Sequence, residues 1–237
     1  MEIESVPLPQ YEEFHTRVIF YRIPKNASTS IYNHLGRANL MSHYSEAIKE
    51  KTDKRLYKDA FDSSHVKPDE FKDLIIGENI KNYFSFCVVR NPWDRALSMY
   101  LHAEKNNFQK AYGIRGNVTF DLFCDIFEDH IDDPYFIGTH KQIDWTIGKY
   151  PPQKILKFEN INEEFSNMVI EHNLVTVSSV LPHKNKTNHT HYSDYYNSRT
   201  KKIIEKIYEK DIDSFKYAFK GKASAEQKTN EEGFLRI

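Results

Sequence analysis

Two short apolar runs along the chain predict buried β-strands, at Val18–Ile23 and Tyr83–Arg90, and Lys154–Phe158 predicts a third strand. Their lengths and their β-branched and aromatic content are typical of strands inside a parallel sheet. Apolar residues at helical spacing follow the first two runs. Because strands alternate with helices, we expect an α/β fold, a single domain with a central parallel sheet flanked by helices.

The first strand-to-helix junction carries the residue types of an anion site. Pro24 ends the strand, and the following residues are Lys25, Asn26, Ala27, Ser28, Thr29 and Ser30. The first turn of a helix has backbone N–H groups without intrahelical partners, and a lysine adds a full positive charge. The pattern also suits an ordinary helix capped by serine or threonine, but the lysine before the small residues favours an anion site. The glycines of the nucleotide-triphosphatase loop, Gly-x-x-x-x-Gly-Lys-Ser/Thr, are absent.

The second junction also places a cation where a strand gives way to a helix. Arg90 ends the second apolar run, and Asn91 and Pro92 supply a helix cap and a first helical residue. Ser98 follows eight positions after Arg90, about two turns into the predicted helix. An arginine at this position is suited to an anion rather than to a magnesium ion.

Both junctions resemble the signature motifs of sulfotransferases, in the expected order. Residues 23–30 look like the 5′-phosphosulfate loop, written Pro-Lys-x-Gly/Ala-Ser/Thr-Ser/Thr, and residues 89–100 look like the 3′-phosphate signature. The resemblance implies a P-loop-like domain that uses 3′-phosphoadenosine 5′-phosphosulfate (PAPS) as co-substrate, releases 3′-phosphoadenosine 5′-phosphate (PAP) and requires no metal. It assigns residues 25–30 to the 5′-phosphosulfate, and Arg90 and Ser98 to the 3′-phosphate.

The carboxyl-terminal half is similar to the carbohydrate branch of the family, through residues 155–160, 181–187 and 192–219. By this resemblance alone, Lys186 and Thr187 lie in a loop that closes over the nucleotide. A solvated polar turn is the alternative for these two residues. The branch favours a sugar hydroxyl as acceptor, while a lipid, a peptide tyrosine and a small metabolite stay open.

Two residues are the predicted catalytic groups. Lys25 is suited to stabilising the charge that develops on the leaving oxygen. His65 lies in a segment that resembles the histidine-containing segment of the uronyl 2-O-sulfotransferases, where the histidine is the base. The alternatives for the base are His102, His183 and Glu159.

Composition narrows the function classes further. The 237 residues include 33 basic and 34 acidic side chains, so no global positive field suggests nucleic-acid binding. We expect positive charge to be local, around Lys25, Arg90, Arg95 and Lys186. The two cysteines, Cys87 and Cys124, fall inside predicted elements and are expected to be buried thiols.

The organisation of the chain is expected to be simple. We expect an amino-terminal extension (1–16), a sulfotransferase domain (17–220) and a polar tail (221–237). Residues 1–10 lack the apolar stretch of a signal peptide, and the chain has no membrane-spanning run, so we expect a cytoplasmic protein without stable membrane insertion. The sequence gives no indication of the oligomeric state.

Two rival functions share the phosphate-binding features. A small-molecule kinase would need the missing glycines and a strand ending in a magnesium-binding aspartate. A non-catalytic module that senses the 3′,5′-bisphosphonucleotide would use Arg90 and Ser98 but would need neither Lys25 nor a base. The presence of Lys25 favours an enzyme.

Overall fold

The protein forms two compact units, each with its own hydrophobic core. The computed structural model describes residues 18–36, 65, 67–68, 83–107, 115–133, 136–174, 178–181 and 190–221. The first unit comprises Met1–Arg90 and His140–Lys186, and the second comprises Asn91–Thr139 and Thr187–Ile237. Residues 1–17 and 222–237 lie outside the described residues, so the predicted boundaries of the extension and the tail stay predictions.

The described strands are β1 (Val18–Tyr21), β2 (Phe84–Val89) and β3 (Lys154–Lys157), and they pair in parallel in the order β1-β2-β3. The described α-helices are, in chain order, α1 (Ser28–Leu35), α2 (Pro92–Asn106), α3 (Phe120–Asp129), α4 (Ile161–Glu171), α5 (Ser198–Ile207) and α6 (Glu209–Phe215). The three predicted strands and the predicted α/β class are confirmed.

One face of the sheet holds the core of the first unit. Alternate residues of the strands, such as Phe20 and Phe86, pack with Ile31 of α1 and Phe165 of α4. The rings of Phe20 and Phe86 stack with their centroids 4.8 Å apart. This alternation follows from the two-residue period of a strand, which brings every second side chain to the same face. This packing holds the sheet in place, and the two strand-to-helix junctions begin at the ends of β1 and β2.

The second unit is a helical cluster with a core rich in aromatic residues. The predicted cap of α2 is confirmed, because the Asn91 side chain accepts a hydrogen bond from Trp93 N at 3.1 Å. Residues 193–210 do not form one continuous helix. Instead a 3₁₀ turn at Tyr192–Tyr195 precedes α5, and Tyr208 separates α5 from α6.

Three further side chains lie in the interior. Both predicted buried thiols are confirmed, since Cys87 in β2 and Cys124 in α3 are free and buried. Arg95 was expected to contribute to a local positive charge, but it does not lie at the surface. It is fully buried in the second unit, and its guanidinium carbon lies 5.3 Å from the centroid of the Tyr208 ring. Among the described residues, no helix is both long enough and apolar enough to cross a membrane.

Candidate active site

The loop between β1 and α1 makes a tight turn without a glycine. Lys25 and Ala27 both adopt left-handed backbone conformations, with φ of 67° and 57°. Such conformations cost a residue with a side chain about 1 kcal/mol or more, so the surrounding structure holds this loop in place. Ala27 is the N-cap residue of α1, and no side chain among the described residues caps the helix. The first helical turn is therefore arranged as an anion site would require.

Arg90 lies directly against this loop. Its Nη1 donates a hydrogen bond to the carbonyl oxygen of Lys25 at 2.9 Å, and its guanidinium carbon lies 4.1 Å from the centroid of the Phe158 ring. Arg90 is buried, and Lys25 is half-buried. Desolvation by burial, together with the neighbouring Arg90 charge, lowers the pKa of Lys25 to about 8. Two cations held together in a poorly solvated site favour a bound anion.

A buried glutamine joins the two junctions. Gln142 Oε1 accepts hydrogen bonds from Asn26 Nδ2 at 2.6 Å and from Arg90 N at 2.9 Å. Gln142 Nε2 donates to the carbonyl oxygen of Arg90 at 2.8 Å. Asn26 Nδ2 also donates to the carbonyl oxygen of Val88 at 2.7 Å. Both amide donors of Asn26 are therefore used inside the protein, and the assignment of Asn26 to the nucleotide stays a prediction.

The other members of the loop differ in exposure. Ser28 is buried, Ser30 is half-buried and Thr29 is exposed. Their assignment to the 5′-phosphosulfate stays a prediction. Gln142 was not predicted from the sequence, because a single glutamine between Lys141 and Ile143 belongs to no motif and its partners are 52 and 116 residues away.

His65 is placed in the first unit, and its ring is held at the end of β1. The ring nitrogen Nδ1 lies 2.7 Å from the carbonyl oxygen of Arg22, three residues before Lys25. Because a carbonyl only accepts hydrogen bonds, Nδ1 carries the proton, and Nε2 of the neutral ring is then a proton acceptor. The indole N–H of Trp145 donates to the carbonyl oxygen of His65 at 3.1 Å. The side chain is 9% exposed, so the ring is largely protected from water.

The alternative bases differ from His65 in their surroundings. His102 is exposed on α2, where its Nδ1 lies 3.2 Å from Asn106 Nδ2. Glu159 is exposed in the turn after β3. His183 lies outside the described residues. A base needs a fixed orientation and proximity to the reacting group, and of the described candidates His65 is the one buried beside the first loop.

Three further residues were predicted to bind the nucleotide. Ser98 is half-buried on α2 in the second unit. Lys186 and Thr187 lie outside the described residues. Their predicted roles stay predictions.

Comparison with known proteins decides the family. The model of the Sulfotransferase family matches residues 12–218. The chain belongs to the sulfotransferase family. In three dimensions it resembles the crystal structure of a sulfotransferase from Alicyclobacillus acidocaldarius, with 15% sequence identity, a TM-score of 0.43, and coverage of 83% of this chain and 92% of that chain. None of the curated proteins compared with the chain matches it.

Family membership selects among the functions expected from the sequence. The protein is a sulfotransferase, an enzyme that moves a sulfuryl group, and the family takes that group from PAPS. The kinase and the non-catalytic nucleotide sensor are therefore not supported. The first unit of this sulfotransferase brings together Lys25, Arg90 and Gln142 through the hydrogen bonds described above, and holds the His65 ring on the carbonyl oxygen of Arg22, directly after β1.

Proposed function

We propose that this sulfotransferase transfers the sulfuryl group of PAPS to a carbohydrate hydroxyl, with Lys25 stabilising the leaving group and His65 acting as the base. The proposal rests chiefly on one observation, the hydrogen bond from the Arg90 guanidinium to the Lys25 carbonyl oxygen. Two cations from separate junctions thereby converge at the start of α1. A nucleotide with phosphate groups at both its 3′ and 5′ positions has the matching charge.

The residues of the first unit fit such a nucleotide. Lys25 and the start of α1 are suited to the 5′-phosphosulfate, because a charged side chain and the first backbone N–H groups of a helix lie on the same loop. Arg90 is suited to the 3′-phosphate, since a guanidinium can offer two parallel donors to a phosphate. For Ser98, Lys186 and Thr187, the proposed role in nucleotide binding rests on the resemblance alone.

The donor supplies an electrophilic sulfuryl group, and the protein's residues prepare the transfer. Lys25 offers positive charge where the leaving oxygen becomes negative, which lowers the barrier because the charge is already in place. His65 Nε2 accepts the proton of the attacking hydroxyl while Nδ1–H stays bound to Arg22. The low exposure of His65 limits competition from water.

The carbohydrate acceptor rests on the likeness of the carboxyl-terminal part of the sequence to the carbohydrate branch. Incubation with radiolabelled PAPS and a panel of glycans, lipids, tyrosine peptides and small metabolites tests it, with the Lys25→Met variant as the blank. Label that enters lipid, peptide or metabolite and not glycan would contradict the proposed acceptor class. A cytoplasmic location stays a prediction from the sequence.

Binding of PAP should require no divalent metal. Isothermal titration calorimetry in excess chelator should give the same affinity as titration with magnesium present, because Lys25 and Arg90 supply the positive charge. ATP, which lacks the 3′-phosphate, should bind more weakly than PAP. Binding of PAP that depends on magnesium, or a preference for ATP, would contradict the proposal.

Replacing Arg90 should remove selectivity for the 3′-phosphate. The Arg90→Met variant should lose about one to two decades of affinity for PAP, since a charge-assisted hydrogen bond contributes about 1.5–3 kcal/mol. Affinity for adenosine 5′-phosphate (5′-AMP) should fall less, through the lost bond to the Lys25 carbonyl oxygen alone. The ratio of the two dissociation constants is the measurement. Arg199, exposed on α5, is the control position. Equal losses for the two ligands would show that Arg90 is structural.

A further inference from the structure

The backbone of Arg90 lies just beyond the end of the sheet. The register pairs β2 with β1 as far as Cys87 and with β3 as far as Val89. Arg90 N–H and C=O come one residue later and are buried, so they need hydrogen-bond partners of another kind. The side-chain amide of Gln142 supplies both, accepting at 2.9 Å and donating at 2.8 Å.

The same amide also reaches the first loop. Gln142 Oε1 accepts from Asn26 Nδ2, and Asn26 is 1% exposed while Gln142 is fully buried. The orientation of the Gln142 amide is fixed by its partners, since Asn26 Nδ2 and Arg90 N can only donate and Arg90 O can only accept. One side chain thus holds the residue beside Lys25 and the backbone that carries the Arg90 guanidinium.

We propose that Gln142 is a positioning residue that sets the Arg90 guanidinium against the Lys25 loop, and so determines how well the enzyme recognises a nucleotide carrying both a 3′- and a 5′-phosphate. The inference rests on the proposed function, because PAP is the ligand that it concerns. Gln142 acts through Arg90 and Asn26 and does not itself contact the nucleotide.

The hydrogen bonds with Asn26 and Arg90 explain why a glutamine is needed at position 142. A methionine would fill a similar volume but would leave the Asn26 donor and both backbone groups of Arg90 without this partner. A deprotonated glutamate could accept both hydrogen bonds, yet its second oxygen would repel the Arg90 carbonyl oxygen. A protonated glutamic acid has the same donors and acceptors in this arrangement as the glutamine.

The test measures the dissociation constants of PAP and of 5′-AMP by calorimetry, well below the unfolding temperature. In Gln142→Met the ratio Kd(5′-AMP)/Kd(PAP) should fall about tenfold, because the 3′-phosphate loses a correctly placed arginine. Gln153→Met is the matched control. Gln153 is an exposed glutamine whose Oε1 accepts from Ser85 N at 3.3 Å, near the opposite end of β2, and its replacement should leave the ratio unchanged.

Two further variants separate positioning from a general loss of structure. In Gln142→Glu the ratio should be low at neutral pH and should approach that of the unmutated protein as the pH falls and the introduced carboxyl group is protonated. This variant also decides the question if Gln142→Met does not fold. In the Arg90→Met background, Gln142→Met should change the ratio no further, since residues that act through one another are not additive.

The outcomes distinguish a failure of the role of Gln142 from a failure of the proposed function. Tight binding of PAP by the unmutated protein, with the same ratio in Gln142→Met as in Gln153→Met, would overturn the role of Gln142 and leave the proposed function intact. Additive effects of the Gln142 and Arg90 changes would also overturn it. Absence of PAP binding by the unmutated protein would overturn the proposed function and this inference together.

Discussion

Replacing His65 with alanine should lower turnover by about 10²–10⁴-fold, the usual contribution of a general base, and should leave PAP affinity nearly unchanged. The reason is that Nδ1–H donates to the Arg22 carbonyl oxygen, so that Nε2 is the basic nitrogen of the neutral ring. Initial rates with labelled PAPS and a proven acceptor, together with calorimetry, separate the two quantities.

The pH profile makes this prediction specific to a base. Turnover of the unmutated protein should rise with pH as the histidine loses its proton, and this rising limb should be lost in His65→Ala. His102→Ala, at the exposed histidine on α2, is the matched control and should retain both rate and profile. If His65→Ala kept most of its activity, the base would have to be sought among His102, His183 and Glu159.

Replacing Lys25 with methionine should reduce both PAP affinity and turnover. Turnover should fall by about 10²–10³-fold, because a preorganised charge at the leaving oxygen is lost from a poorly solvated site. Affinity should fall by about tenfold through the lost charge on the 5′ side. Lys149→Met is the matched control, since Lys149 is an exposed lysine of the same unit. A variant with reduced turnover and unchanged affinity for PAP would contradict a ground-state contact with Lys25.

The lowered pKa of Lys25 gives this prediction a second readout. At a pKa of about 8, Lys25 is half-protonated at pH 8 in the free protein. A bound anion favours the charged form and raises the pKa, so binding at pH 8 should take up about half a proton, and affinity should decline as the pH rises above 8. Calorimetry in buffers of different ionisation enthalpy measures this uptake, which should disappear in Lys25→Met. The same uptake in both proteins would assign the proton to another group.

The strands of the sheet could be predicted from the sequence, because each is marked by residues that are neighbours along the chain. β2 is a continuous apolar run, and the flanking Asn91 and Pro92 mark the start of α2 by their own backbone preferences. The division between α5 and α6 could not be predicted. Tyr208 is fully buried and its hydroxyl donates to the carbonyl oxygen of Gly138, a partner 70 residues away that no helical periodicity reveals.

The candidate site likewise contains residues that the sequence indicates and contacts that only the folded chain reveals. Lys25 and Arg90 were found because each stands at a junction with a recognisable motif. The contact between Arg90 and the Lys25 carbonyl oxygen depends on the pairing of β1 with β2, which brings together residues 65 positions apart. Gln142 has no motif, and its importance follows from three hydrogen bonds that exist only in the folded chain. The sequence therefore indicated the two charged residues, and it did not indicate the neutral residue that is bonded to Asn26 and Arg90.

The two buried cysteines have a practical consequence for labelling the protein in studies of acceptor binding. Burial raises the pKa of both Cys87 and Cys124, and the carboxylates of Asp121 and Asp125 contribute at Cys124, so neither thiol ionises readily. Because the thiolate is the form that reacts with alkylating reagents, both should stay unmodified while the protein is folded. A single cysteine introduced on the surface would then be the preferred point for attaching a fluorophore or cross-linker, without first removing the native ones.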